Sequence, residues 1–148
     1  MKKIRFKRTL ALTAWVAAIV LMLIACDEQL EVEQAYSYDL ETMPVPKQIA
    51  VGETAEIRCA LVKAGNYSGV SFTIRYFQPD GKGELRMDDG MLFAPNDRYP
   101  LDRTEFRLYY TSHSTDRQVI DIYIEDNFGQ IVQKSFSFSN ESTSGDAG

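Results

Sequence analysis

"ETAEIRCALV", residues 53–62, sets Ala55, Ile57, Cys59 and Leu61 on one side of an extended chain and Glu56, Arg58 and Ala60 on the other. Successive side chains of a strand point to opposite faces, so this alternation predicts a strand with one buried and one wet face. The same period of two recurs along the chain. Upstream, Leu30, Val32, Tyr36, Tyr38 and Leu40 alternate with Glu31, Glu33, Ser37, Asp39 and Glu41, with Gln34 the one lapse. Between the two runs "MPVPK" breaks the pattern, because Pro44 and Pro46 cannot donate to a ladder. Downstream, after the turn "KAGNYSG", Val70, Phe72, Ile74 and Tyr76 face in while Ser71, Thr73 and Arg75 face out.

Turn chemistry sets the spacing of the rest. "QPDGKGE", residues 78–84, reads as a turn, with Pro presetting a bend and glycines free to take positive φ. Leu85 and Met87 mark a short strand, Phe106, Leu108 and Tyr110 a longer one, and Ile120, Ile122 and Ile124 another. "EDNFGQ" turns the chain, with "DNFG" at 126–129 as a hairpin turn, and Val132, Phe136 and Phe138 complete the series. The stretch "DDGMLFAPNDRYPLDRT", residues 88–104, is the least regular part and is expected to be a long loop. Outside the first 25 residues no window shows an apolar stripe at helical spacing.

About seven short strands over roughly 110 residues point to an all-β fold, an immunoglobulin-like β-sandwich. A small barrel is the alternative. Two hallmarks of antibody domains are missing, since the only tryptophan, Trp15, lies near the amino terminus and Cys59 lacks a disulfide partner. Cys59 sits at an inward phase and is expected to act as a small core hydrophobe.

The amino terminus has a different layout. Lys2, Lys3, Arg5, Lys7 and Arg8 precede an apolar run from Thr9 to Ala25, the arrangement of a secretory signal. It ends in "LIAC", with an aliphatic residue three before Cys26 and a small one directly before it, the pattern of bacterial lipoprotein processing. An uncleaved membrane anchor is the competing reading, since about 17 apolar residues lie at the short end of a bilayer span. On the lipoprotein reading, residues 1–25 are a cleaved signal peptide and Cys26 carries the lipid anchor. Residues 26–29 are a tether, 30–140 the sandwich and 141–148 a disordered polar tail. Two or three acyl chains hold a protein on a membrane stably, whereas one does not. The expected place is the bacterial cell envelope, with the outer membrane as the expected membrane.

Removing the signal changes the charge. Five of the 16 basic residues and none of the 21 acidic ones precede Cys26, leaving 11 against 21, a net charge of about −10. This disfavours direct nucleic-acid binding, which needs basic patches on phosphate.

Chemistry for catalysis is sparse. His113 is the only histidine and lies in the polar turn "TSHSTD", so a metal site or a catalytic triad would rest on it alone. No nucleophile elbow or phosphate-binding glycine loop is present. The acidic pairs Asp88–Asp89 and Glu125–Asp126 lack the ordered spacing of a calcium loop and read as hydrated turns. The reading is therefore a non-enzymatic chain without catalytic or metal-binding residues, cofactor or small-molecule substrate. One surface feature stands out: Met91, Leu92, Phe93 and Tyr99 lie among acidic and amide residues. Such a cluster either docks a partner or folds over the open end of the sandwich.

The lipoprotein pattern and the stretches "GETAEIRCALVKAGNYSGVSFTIRYFQPDGKGELRM", "APNDRYPLDRTEFRLYYTS" and "IDIYIEDNFGQIVQKSFSFSN" together resemble the TraQ family of conjugative-transposon lipoproteins of Bacteroides-type bacteria. The resemblance implies a small immunoglobulin-like sandwich serving as an accessory part of a mating apparatus, with other transfer proteins as its partners. It transfers no residue except Cys26 as lipid anchor. A surface-exposed module recognising glycan or peptide is the alternative function.

Overall fold

The computed structural model describes residues 10–19, 35–66 and 68–140. Residues 10–19 are helical and belong to a unit of their own, Met1–Gln34. Among the described residues no helix is long and apolar enough to cross a membrane. Cys26, the strand positions Leu30 and Val32, and the tail 141–148 lie outside the described residues.

The second unit, from Ala35 on, is built of strands. In chain order they are β1 (Tyr38–Thr42), β2 (Gln48–Ile49), β3 (Thr54–Lys63), β4 (Phe72–Asp80), β5 (Gly83–Met87), β6 (Arg98–Leu101), β7 (Glu105–Ser112), β8 (Gln118–Asp126) and β9 (Ile131–Asn140). They form a four-stranded sheet, β1-β3-β7-β5, and a five-stranded sheet, β2-β9-β8-β4-β6. Setting aside the very short β2 and β6, the orders β1-β3-β7-β5 and β9-β8-β4 are those of a constant-type immunoglobulin domain. The all-β sandwich expected from alternation is therefore the fold.

Among the described residues nine strands stand where about seven were expected, and both additions are edge pieces. β1 pairs with β3, and Met43 N–H still donates to the Arg58 carbonyl at 3.1 Å. Pro44 and Pro46 have no N–H to continue that ladder, so the chain leaves the sheet and rejoins the other one as β2, parallel to the end of β9. β6 arises inside the expected loop 88–104. It lies at the edge beyond β4, where the missing N–H of Pro100 costs no internal ladder bond.

Two boundaries also move. β4 runs through Gln78, Pro79 and Asp80, expected to turn, and its register against β8 shifts between Phe77 and Asp80, where Pro79 cannot donate. The real turn is the two residues Gly81 and Lys82, which carry the chain from one sheet to the other. Gly81 has φ +81, and a Cβ at Gly83 would come within 2.4 Å of the Tyr110 hydroxyl and the Thr111 carbonyl. Tyr110 and Thr111 belong to β7, the sheet neighbour of β5, and only glycine fits so close to them. Tyr36, expected on the inward phase, is half exposed, and its ring lies over Gly65, where a Cβ would come within 2.8 Å.

The core lies between the sheets. Ile57, Leu108 and Tyr110 from one layer meet Ile74, Tyr76, Ile120, Ile122, Ile124 and Phe138 from the other, all essentially inaccessible. Tyr110 stacks on Phe138 with centroids 5.7 Å apart. Cys59 is buried as a free thiol, and burial pushes its pKa up to about 12, which keeps it protonated and unreactive.

Candidate functional site

Residues 88–104 cover one edge of the sandwich. Met87 N–H donates to the Met91 carbonyl and Phe93 N–H to the Leu85 carbonyl, both at 2.9 Å, and Leu92 bridges to Arg86. The segment therefore pairs with the outer edge of β5. Phe93 is buried and packs edge-on against Tyr99 at 5.1 Å, and Met91 packs on the core beside them. The Tyr99 hydroxyl accepts from Ala94 N–H at 2.9 Å. Of the four residues singled out as a possible docking cluster, three are engaged in packing and Leu92 alone is largely exposed. A four-residue apolar patch is thus not presented to solvent, because edge pairing by residues 91–93 turns Phe93 inward.

The remaining chemical groups are dispersed. His113 is exposed, with its N–H bonded to the Lys82 carbonyl at 2.8 Å. Asp88 accepts from Arg103 Nη1 at 2.9 Å. Asp126 is buried at the β8–β9 hairpin, where it accepts from the backbone N–H groups of Phe128 and Gln130 at 3.0 and 2.7 Å. The expected hairpin turn is present, with Gly129 at φ +87. Among the described residues no group of three or more His, Cys, Asp or Glu side chains is placed to hold a metal ion.

Two polar clusters escaped sequence reading. At one end of the sandwich Gln118, fully buried, accepts from the Tyr110 hydroxyl at 2.6 Å and from Lys82 N–H at 3.0 Å. Its amide nitrogen donates to Ser114 Oγ and to the Asp116 carbonyl at 2.9 and 2.7 Å. Gln78 joins Tyr76 and Tyr110 into the same network. Burial raises both phenols, that of Tyr110 to about 12. The sequence signal was faint: Gln118 lies on the inward phase of β8, two residues before Ile120.

The second cluster lies on the outer face of the five-stranded sheet. Glu125 takes one guanidinium from Arg75 at 2.8 Å and another from Arg98 at 2.5 Å, so one carboxylate bridges three neighbouring strands. The hydrogen bond from Arg98 holds the Glu125 carboxyl below the usual carboxylate range, with the charge of Arg75 adding to it. Arg75 also lies over the Tyr123 ring, 4.7 Å from its centroid. On the opposite sheet an open groove of about 580 Å³ runs past Met43, Arg58, Phe106 and Arg107, with Glu41, Asp88 and Glu105 in its lining. Its charges are mixed and face solvent, which gives no convergent acid–base pair.

The family model of the TraQ conjugal transfer protein matches residues 9–141. A lipoprotein of Bacteroides thetaiotaomicron solved in solution is 53% identical, over 79% of this chain and 90% of that one, with a TM-score of 0.67. The crystal structure of a conjugative transposon lipoprotein from Bacteroides eggerthii is 47% identical, over 70% of this chain and 97% of that one, with a TM-score of 0.66. A conjugate transposon protein from Bacteroides vulgatus is 47% identical, over 80% and 95% of the two chains, with a TM-score of 0.64. A search of curated proteins gives no match. Most of the chain, head included, is thus covered by one family: the chain belongs to the TraQ conjugal transfer protein family.

Proposed function

We propose that the protein is a lipid-anchored, non-enzymatic interaction component of a conjugative transfer apparatus, held at the bacterial cell envelope by acyl chains on Cys26. The observation that carries this reading is the coincidence of "LIAC" at residues 23–26 with membership of a conjugal transfer family. The Bacteroides eggerthii and Bacteroides thetaiotaomicron relatives are themselves described as lipoproteins. The head supports a contact role. Its interior is filled by packed side chains, its histidine faces solvent, and Glu125, Asp88 and Asp126 are each bound by arginine or backbone. Among the described residues from Ala35 on, the largely exposed aromatics are Tyr36, before β1, and Phe77, within β4.

Acyl chains at about 0.8 kcal/mol per buried methylene give stable anchoring when two or more are present. Cys26→Ala therefore moves the chain from the membrane to the soluble fraction, leaves the thermal melt of the head unchanged and impairs transfer. Retention of the variant in the membrane, or an unmodified Cys26 by mass spectrometry, removes the anchor. Density separation of the two membranes from cells carrying the wild-type chain tests the outer membrane as its site.

A further inference from the structure

We infer that the end of the sandwich where the chain enters, formed by residues 35–37, 64–71 and 127–130, rests against the lipid headgroups of the membrane that holds the anchor; this rests on the lipid-anchored reading of Cys26.

The two ends of the sandwich differ in charge. At the entry end β1 begins opposite the last residue of β3, Tyr38 against Lys63, and β4 begins opposite the end of β8, Phe72 against Asp126. Residues 35–37, 64–71 and 127–130, which make up this end, include no Asp, Glu, Lys, Arg or His. Asp126, at the base of the hairpin, is buried and spent on backbone N–H groups. The opposite end, where β3 and β8 begin, carries Glu53, Lys82, His113, Asp116 and Arg117 in its turns. An anionic headgroup layer repels acidic surface, and the entry end offers it none. Its side chains suit the boundary of a bilayer. Tyr36 is half exposed and lines a shallow pocket with Val70 and Phe128, both partly exposed. A tyrosine ring is apolar in its body and polar at its tip, which fits the level of the headgroups.

The end is held in one shape. Asn127 donates from Nδ2 to the Gly69 carbonyl and accepts Ser71 N–H at Oδ1, both at 2.9 Å, so the β8–β9 hairpin clamps the turn before β4. Gln130 Nε2 donates to the Tyr36 carbonyl at 3.2 Å, and the Tyr38 hydroxyl donates to the Gln130 carbonyl at 2.6 Å. Ala64 N–H donates to the Ser37 carbonyl at 2.9 Å. The point at which the chain enters the head is therefore fixed. Chain length then selects the end that meets the lipid. Ala35 follows Cys26 by nine residues, which reach about 30 Å at full extension. The ten residues of β3 alone are about 33 Å long. A head turned over, with its charged end on the bilayer, would need more chain than lies between anchor and head. Any protein docked at the entry end would have to share that space with the bilayer.

The test uses the lipidated chain, purified in detergent and reconstituted into vesicles of phosphatidylcholine and phosphatidylglycerol that carry a spin label on the headgroup. A fluorophore is attached at Ser68→Cys, in the entry end, or at Thr115→Cys, in the opposite end; Cys59 is buried and does not compete for it. Contact at headgroup depth, within about 10 Å, costs the label at 68 about half its emission or more. The label at 115, about 30 Å further along the strands, keeps nearly all of its emission. Tyr36→Glu with Phe128→Ser floats with the vesicles as the wild type does and restores most of the emission at 68. Thermal melts report whether this variant folds, and the two labels on the otherwise unchanged chain decide the matter if it does not. A floating chain with an unquenched label at 68, or with both labels quenched alike, overturns the proposal. So does a folded double variant quenched as strongly as the wild type, since the anchor alone would then hold the end near the lipid. Flotation reads the anchor separately: a chain that does not float removes the anchor and this contact together, whereas one that floats unquenched removes the contact alone.

Discussion

β7 and β8 are both interior strands, each flanked by a neighbour on either side, yet they are covered to different degrees. β7 alternates, with Phe106, Leu108 and Tyr110 buried and Glu105 and Arg107 exposed. In β8 seven of nine residues are buried, including Asp121 and Glu125 on the outer face. The residue types around them are similar, so composition does not explain the contrast. What differs is the direction in which the arginines reach. On the four-stranded sheet Arg58 pairs with Glu56 and Arg86 with Glu84, each two residues back on its own strand, at 2.8 and 3.0 Å. These side chains lie along the strand and leave the face wet. On the five-stranded sheet Arg75 and Arg98 reach sideways to Glu125 and roof the middle of the sheet, while Ser135 Oγ donates to Asp121 at 2.5 Å. The ion pairs of the four-stranded sheet decorate a surface, whereas those that meet at Glu125 from two further strands enclose it.

The largest effect tests the end of β8, where Gln118 closes the sandwich. Replacing Gln118 by Leu removes the acceptor of the Tyr110 hydroxyl and Lys82 N–H and the donor to Ser114 and Asp116. Each buried group left unsatisfied costs about 1–3 kcal/mol, and Gln78 still donates to the Tyr110 hydroxyl but does not replace its acceptor, so a loss of about 2–4 kcal/mol is expected in urea unfolding. A loss below the error of the melt would show that β8 owes its burial to apolar packing alone. The corresponding position on β7, Ser112, accepts Gly52 N–H through its carbonyl and presents only a small hydroxyl. Ser112→Ala is accordingly the milder change.

This contrast also marks what could be read from the sequence. The inner rows of β3, β4, β7, β8 and β9 were legible because period two is a local property of a half-buried strand. β2 and β6 were not, since two and four residues carry no period and both contain or follow prolines. Pro79 misled by its type: its ordinary meaning is a turn, and here it marks a bulge inside β4. Gln118 and Glu125 were hidden for another reason. Their burial depends on partners 8 to 50 residues away, such as Tyr110 and Arg75, whose approach is fixed by the strand order of the assembled sheets. Of the docking cluster, the residue types were visible but not the pairing of residues 91–93 with β5 that decides which one faces water.

A smaller effect is expected at Glu125. Glu125→Ala leaves Arg75, about one-fifth exposed, without its carboxylate, and a loss of about 1–3 kcal/mol follows. The pH dependence has a definite sign. The folded carboxyl titrates below its ordinary 4.5, so its contribution is complete above that pH and is lost as pH falls through the depressed folded value. Stability of the wild type therefore declines below pH 4.5 more steeply than that of Glu125→Gln, which has no proton to take up there. Parallel acid profiles would mean that Glu125 is roofed but not energetically coupled to its two arginines.

The smallest effect belongs to Glu56, and it is the sharper test of the comparison. By count of partners Glu56 equals Glu125, because Arg58 lies 2.8 Å and Arg107 3.5 Å from the same Oε1. Arg58 and Arg107 are moreover direct cross-strand partners, an arrangement of like charges that a carboxylate between them should relieve. If charge pairing as such governed stability, Glu56→Ala would match Glu125→Ala. Water decides otherwise. Both guanidiniums are more than half exposed, and solvent screens their repulsion and hydrates whatever the carboxylate leaves behind. Glu56→Ala should give a urea midpoint that cannot be told from the wild type at moderate salt, with any difference confined to low ionic strength. A salt-independent loss as large as that at Glu125 would show that the wet face of β7 is held by the same kind of interaction as the enclosed face of β8.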